Sequence, residues 1–280
     1  MKILGLVVVV LAGAVAGAVA AFALIQSPIG PNWDQAQLRQ LIVDEIAAAT
    51  AGPQYRPEEL GPMVEQYLLA NPDVLQRVSD ALATKRQAEQ AAKTKTLIAE
   101  NRDRIFSDTG AAVVGNPLGD VTLVEMYDYN CAYCRTAMPD LVALVDEDPN
   151  LRLVLRQFPI LSQGSVDAAK VGVLVDLAGA DYWSFHRALY TARGQIDGPV
   201  ALREAGKLGL DEATLKGKLS DPEVTAALDQ SYDLARRLGI SGTPTFIIGD
   251  EIVPGAVGIE VLREKVGNMR ACGSTICPPS

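Results

Sequence analysis

Cys131 and Cys134 are separated by Ala132 and Tyr133, a spacing that can do redox chemistry. The pair follows an apolar run, Val121–Tyr127, and opens a helical pattern. Unpaired N–H groups of a first helical turn point at the first sulfur and stabilise it as a thiolate. The second sulfur, one turn further in, can attack a mixed disulfide formed at the first. Cys131 is therefore expected to be an ionised, exposed nucleophile and Cys134 the resolving thiol. An inert disulfide and a metal site are the competing readings. Zinc needs four ligands, and the remaining candidates, His186, Cys272 and Cys277, fit no standard zinc spacing. Two thiolates could still hold Cu(I), a soft ion. No resident metal and no cofactor are expected.

Three further features bear on that chemistry. Thr243-Pro244 stands just before an apolar strand, Thr245–Ile248. A cis X-Pro bond is expected there, with Thr243 beside Cys131 and ready to pair with a substrate strand. A trans proline at a strand edge is the alternative. Glu125 lies six residues before Cys131. If buried, it could relay protons to and from Cys134, but alternation along the strand leaves its face undecided. His186, the only histidine, lies in the aromatic run Tyr182–His186 and reads as a packing residue. Cys272 and Cys277 are expected to close the tail with a structural disulfide, a second redox site being the alternative.

These residues need a scaffold, and the rest of the chain supplies its outline. The 280 residues are 49% hydrophobic and 21% charged, with a net charge of −9. That balance argues against binding a phosphate backbone, so no nucleic-acid partner is expected. Met1–Ile25 has one charge, Lys2, and reads as a cleaved signal peptide or a retained membrane anchor. Either places the remainder outside the cytoplasm, where disulfides persist. Residues 33–83 hold three short helical patterns with apolar faces and too small a core to stand alone. They read as an oligomerisation region, the alternative being that these helices fold back on the domain that follows. A polar helical stalk, 84–107, follows, the third helix running on to about Phe106. Residues 108–280 then give strand, Cys-x-x-Cys helix, strand, helical insertion at about 163–239, hairpin and helix. That order is an α/β thioredoxin fold with an inserted helical domain.

The chain resembles the DsbA family of periplasmic thiol-disulfide oxidoreductases, and within it the suppressor-of-copper-sensitivity protein C group. The stretches that carry the likeness are Tyr67–Asp73, Gly115–Glu125, Asp128–Cys134 and Gly242–Phe246. The resemblance implies Cys131 as attacking thiol, Glu125 as a buried acid, and Thr243-Pro244 as the cis loop. It also implies a homotrimer through the N-terminal helices and possible isomerase activity. Expected partners are exported proteins with thiols or disulfides and a membrane redox partner. Net disulfide formation and copper tolerance through Cu(I) are the alternatives. One departure stands out: strongly oxidising members place His after Pro between the cysteines, whereas Ala132 and Tyr133 stand here, which argues for a milder oxidant.

Overall fold

The computed structural model describes residues 35–50 and 56–278. The export segment expected at 1–25 lies outside them. Among the described residues, no helix is long and apolar enough to cross a membrane. The chain divides into two units, up to Val78 and from Ser79 onward.

The first unit holds α1 (Gln35–Thr50), α2 (Pro57–Ala70) and the start of α3 (Asp73–Glu100). Proline at its first position opens α2, where the missing N–H costs nothing. Asn71 ends it: its backbone N–H and its Nδ2 both donate to the Tyr67 carbonyl, at 2.9 and 2.8 Å. Among the described residues, many apolar side chains of this unit are exposed, from 41% at Leu60 to 76% at Leu69.

The third helix is shorter than its pattern suggests. It stops at Glu100, and a short α4 (Arg102–Ile105) follows. Asn101 causes the break by turning its side-chain amide onto the Leu97 carbonyl at 2.8 Å, in competition with the helical ladder. The polar stretch Thr84–Thr96 is largely exposed, whereas Ile98 and Ile105 are buried.

The second unit is built on a five-stranded sheet of order β1-β3-β2-β4-β5. The strands are β1 (Ala112–Gly115), β2 (Val121–Tyr127), β3 (Leu151–Gln157), β4 (Thr245–Ile248) and β5 (Glu251–Pro254). Sequence reading missed β1: its four residues, Ala-Val-Val-Gly, are too few to show alternation. Central β2 runs parallel to β3 and antiparallel to β4. Helical segments cover both faces, which is why β2 and β3 are buried almost throughout. Leu123, Tyr127, Leu155 and Phe246 pack towards α5 (Ala132–Glu147), while Val124, Met126, Val154 and Ile247 pack with Ile98 and Ile105. The two-residue period places Glu125 on the α5 side.

Between β3 and β4 come α6 (Gln163–Leu177), α7 (Tyr182–Thr191), α8 (Gly198–Lys207), α9 (Glu212–Lys218) and α10 (Pro222–Leu238). Asp181, Asp197 and Asp211 cap three of them by accepting backbone N–H bonds. Gly239, at φ +68°, ends α10 in the left-handed conformation that glycine takes without strain. The last helix, α11 (Ile259–Cys272), runs on to Cys272. This is the thioredoxin order with helices inserted between its halves.

Candidate active site

The site forms where β2 hands over to α5. Cys131 is the N-cap of α5, in extended conformation at φ −78° and ψ 118°. Its Sγ accepts the Cys134 backbone N–H at 3.4 Å. Because β4 lies beside β2, with Thr245 opposite Met126, the loop before β4 reaches the same end of the sheet. The Thr243–Pro244 bond is cis. As a thiol, Cys131 donates to the Thr243 carbonyl at 3.1 Å.

One expectation needs correction. Cys131 is 5% exposed and Cys134 1% exposed, so neither is an exposed group. The N-cap position tucks Sγ against the first turn, and Thr243 closes over it. Exposed residues adjoin both sides: Ala132 and Tyr133 next to the sulfur, Ser241 and Gly242 next to Thr243. Access to Cys131 Sγ therefore requires the Thr243 side of the site to move. Both cysteines are free thiols.

Their environments push them apart. The hydrogen bond from the Cys134 thiol, reinforced by the Thr243 side chain and by the backbone N–H groups of Cys134 and Tyr133, lowers Cys131 from 9.0 to about 5 against the opposing effect of burial. Burial pushes Cys134 far up, helped by its bond to Cys131 and the nearby Glu125 carboxylate. Glu125 is 1% exposed, flanked across the sheet by Leu155 and Phe246. Burial first, and the Cys131 charge second, raise it to about 8. Its Oε2 has no hydrogen-bond partner. The three groups thus share one face, the thiol pair holding one easily lost proton and the carboxyl another.

Sequence reasoning missed two residues here. Asp128 Oδ1 accepts the Asn130 N–H at 2.8 Å, and its Oδ2 accepts the N–H groups of Ile160 and Leu161, both at 2.9 Å. Asn130 Nδ2 donates to Ser165 Oγ at 2.9 Å and to the Ile196 carbonyl at 2.7 Å, while its Oδ1 accepts the Ile196 N–H at 2.8 Å. An Asp-x-Asn run directly before the cysteine is the turn signal that could have revealed them. Behind them lies a buried polar cluster. Tyr129 Oη is 3.3 Å from His186 Nδ1, and Gln157 Nε2 donates to Tyr182 Oη at 3.0 Å. Burial drives His186 down to about 3, so it is neutral, and its ring stacks on Trp183.

The other candidates lie elsewhere. Cys272 and Cys277 are joined in a disulfide, with Cα atoms 5.9 Å apart. The loop they close sends Ser274 Oγ, Thr275 N and Thr275 Oγ1 to the Asp250 carboxylate, which also pairs with Lys95. A cleft of about 360 Å³, lined by Asp108, Asp176 and Gln157 among others, includes none of the predicted site residues.

Known proteins show the same arrangement of chain. A thioredoxin-like oxidoreductase from Silicibacter pomeroyi is 46% identical, with a TM-score of 0.59 over 61% of this chain and 99% of that one. The catalytic domain of Proteus mirabilis ScsC is 27% identical, with a TM-score of 0.57 over 63% of this chain and 98% of that one. The Na(+)/H(+) antiporter NhaA 1 of Salinispora arenicola is 30% identical over 148 residues, which are 52% of this chain but 22% of that protein. The match therefore reaches only a fifth or so of the antiporter, and ion transport is that protein's own property. A family described as the DSBA-like thioredoxin domain matches residues 122–267, more than half of the chain. The chain belongs to the DSBA-like thioredoxin domain family.

Proposed function

We propose that this protein is a periplasmic thiol-disulfide oxidoreductase that exchanges or isomerises disulfides in exported proteins. Cys131 Sγ attacks one sulfur of a client disulfide; a Cys131–client disulfide forms and the other client sulfur leaves as a thiol after taking a proton. In isomerisation another client thiolate attacks the mixed disulfide, forming a new client disulfide and regenerating Cys131. In reduction Cys134 loses its proton, attacks Cys131 Sγ, and releases the second client sulfur as a thiolate, leaving the client reduced and Cys131–Cys134 oxidised. Glu125 takes that proton, its elevated pKa matching it to the task. Thr243, ahead of Pro244, offers its backbone to a client strand. The observation that carries this reading is the Cys131 sulfur at the start of α5, 3.4 Å from the Cys134 N–H and 3.1 Å from Thr243 O.

Isomerisation leaves the client's oxidation state unchanged, so Cys131 must be kept reduced, and a membrane dithiol partner is the donor. The exposed apolar faces of the first unit support self-association through residues 33–83, with 84–107 as stalk and a trimer as the assembly the resemblance implies. The tail disulfide is structural. Recovery of a scrambled-disulfide substrate tests the function: the wild type restores activity catalytically, and failure to do so at any thiol ratio rejects isomerisation.

One observation favours net oxidation as a second reading. A Cys131 thiol lowered to about 5 stabilises the reduced form by roughly 3 kcal/mol at neutral pH, roughly 60 mV towards an oxidant. The absence of histidine between the cysteines argues the other way. A reduction potential near that of DsbA, about −120 mV, would decide for the oxidase.

A further inference from the structure

We propose that Asp128 and Asn130 are positioning residues through which the inserted helices hold the Cys131 sulfur in register with its partners. This rests on the reading of Cys131 as nucleophile. The turn from β2 into α5 is only three residues long, Asp128-Tyr129-Asn130, and the side chains of Asp128 and Asn130 are both fully engaged in hydrogen bonds. Asp128 folds the turn back on itself through the Asn130 N–H, and its own carbonyl accepts the Cys131 N–H at 3.0 Å and Tyr190 Oη at 3.2 Å. Its second carboxylate oxygen ties down the loop after β3 at Ile160 and Leu161.

Asn130 does the same for the insertion. Its amide donates to and accepts from Ile196 as a backbone partner would, and its third bond reaches Ser165, which is buried in the first turn of α6. Arg135, one turn into α5, donates to the carbonyls of Tyr190 and Ala192 from the other side. The residue before the nucleophile is therefore fixed by α6 and by the α7–α8 loop rather than by the sheet alone. The Sγ contacts with Cys134 and Thr243, at 3.4 and 3.1 Å, depend on direction as well as distance, so a displacement of Cys131 weakens them. Displacements of this size are costly in reacting geometries.

The test is Asn130→Ala, a neutral change that adds no charge near the sulfur. In the reduced protein the pH at which Cys131 ionises rises by about one unit, and alkylation at pH values below about 5 slows about tenfold. Ser165→Ala removes one of the three bonds and shifts the same midpoint less; it serves if Asn130→Ala does not fold. Arg270→Ala, which loses ion pairs to Asp120 before β2 and to Asp148 at the far end of α5, lowers stability but leaves the midpoint unchanged. For Asp128, Asp128→Asn makes the Ile160 and Leu161 amides exchange with solvent at least tenfold faster. An unmoved midpoint in both Asn130→Ala and Ser165→Ala, or an equal shift in Arg270→Ala, overturns the assignment of Asn130. Unchanged amide exchange overturns that of Asp128. Cys131→Ser separates the two levels: if it still exchanges disulfides, the functional reading itself falls.

Discussion

The two cysteine pairs of this chain sit at opposite ends of helices. Cys131 precedes α5, where free N–H groups face the sulfur; Cys272 is the last residue of α11, where free carbonyls do. A helix start favours a thiolate and a helix end disfavours it. The first pair is a buried dithiol beside a carboxyl and a cis-proline loop. The second is a disulfide on the surface, closing a loop that caps Asp250. Reactivity in this chain follows from the polarity of the helix end and from the groups that converge on it, not from cysteine spacing alone.

That contrast breaks first at Cys131. Cys131→Ser reduces disulfide exchange to the uncatalysed background, whereas Cys272→Ser with Cys277→Ser leaves the rate unchanged; the reverse pattern in a client-disulfide assay would exchange the roles of the pairs. Next comes Cys134→Ser, in which the mixed disulfide at Cys131 accumulates and appears on non-reducing gels as a client-linked species. A protein that used the pair only to hold Cu(I) would trap no client.

Glu125→Gln sharpens the comparison through pH. Folded Glu125 ionises near 8 rather than at its ordinary 4.5. Between those values the unfolded chain has released a proton that the folded chain retains, so this group lowers stability as pH rises, by on the order of 4 kcal/mol across the window. The Gln variant is therefore more stable than the parent at pH 8, and the gap closes below pH 4.5. Its client release slows on the order of a hundredfold. Denaturant melts across pH check the first effect and single-turnover kinetics the second. The smallest effect belongs to the tail: losing the Cys272–Cys277 bond lowers stability by about 2 kcal/mol, from loop closure over so short a ring.

Much of the site was legible in sequence because it depends on local order. A strand running into Cys-x-x-Cys sets the helix start, and Thr243-Pro244 before a strand marks the facing loop. The face of Glu125 was not legible, because β2 is buried on both sides and alternation has no polar face to mark. Asp128 and Asn130 escaped because their partners, Ile160, Ser165 and Ile196, lie 32 to 66 residues away. The burial of Cys131 escaped for the same reason: Thr243, which covers it, comes 112 residues later. Gly179, Gly209 and Gly239 each adopt positive φ at a helix end, the kind of stop that glycine marks locally in a sequence. The end of α3 was overrun because Asn101 breaks it through its side chain.

The ionisation of Cys131 tests the central claim most directly. Alkylation rates are followed by mass spectrometry against pH, on reduced protein whose tail cysteines are replaced by serine. The account predicts that Cys131 reacts with a midpoint near 5 while Cys134 stays unmodified. A midpoint near the ordinary 9, or a Cys131 closed to the reagent in the folded state, would contradict it.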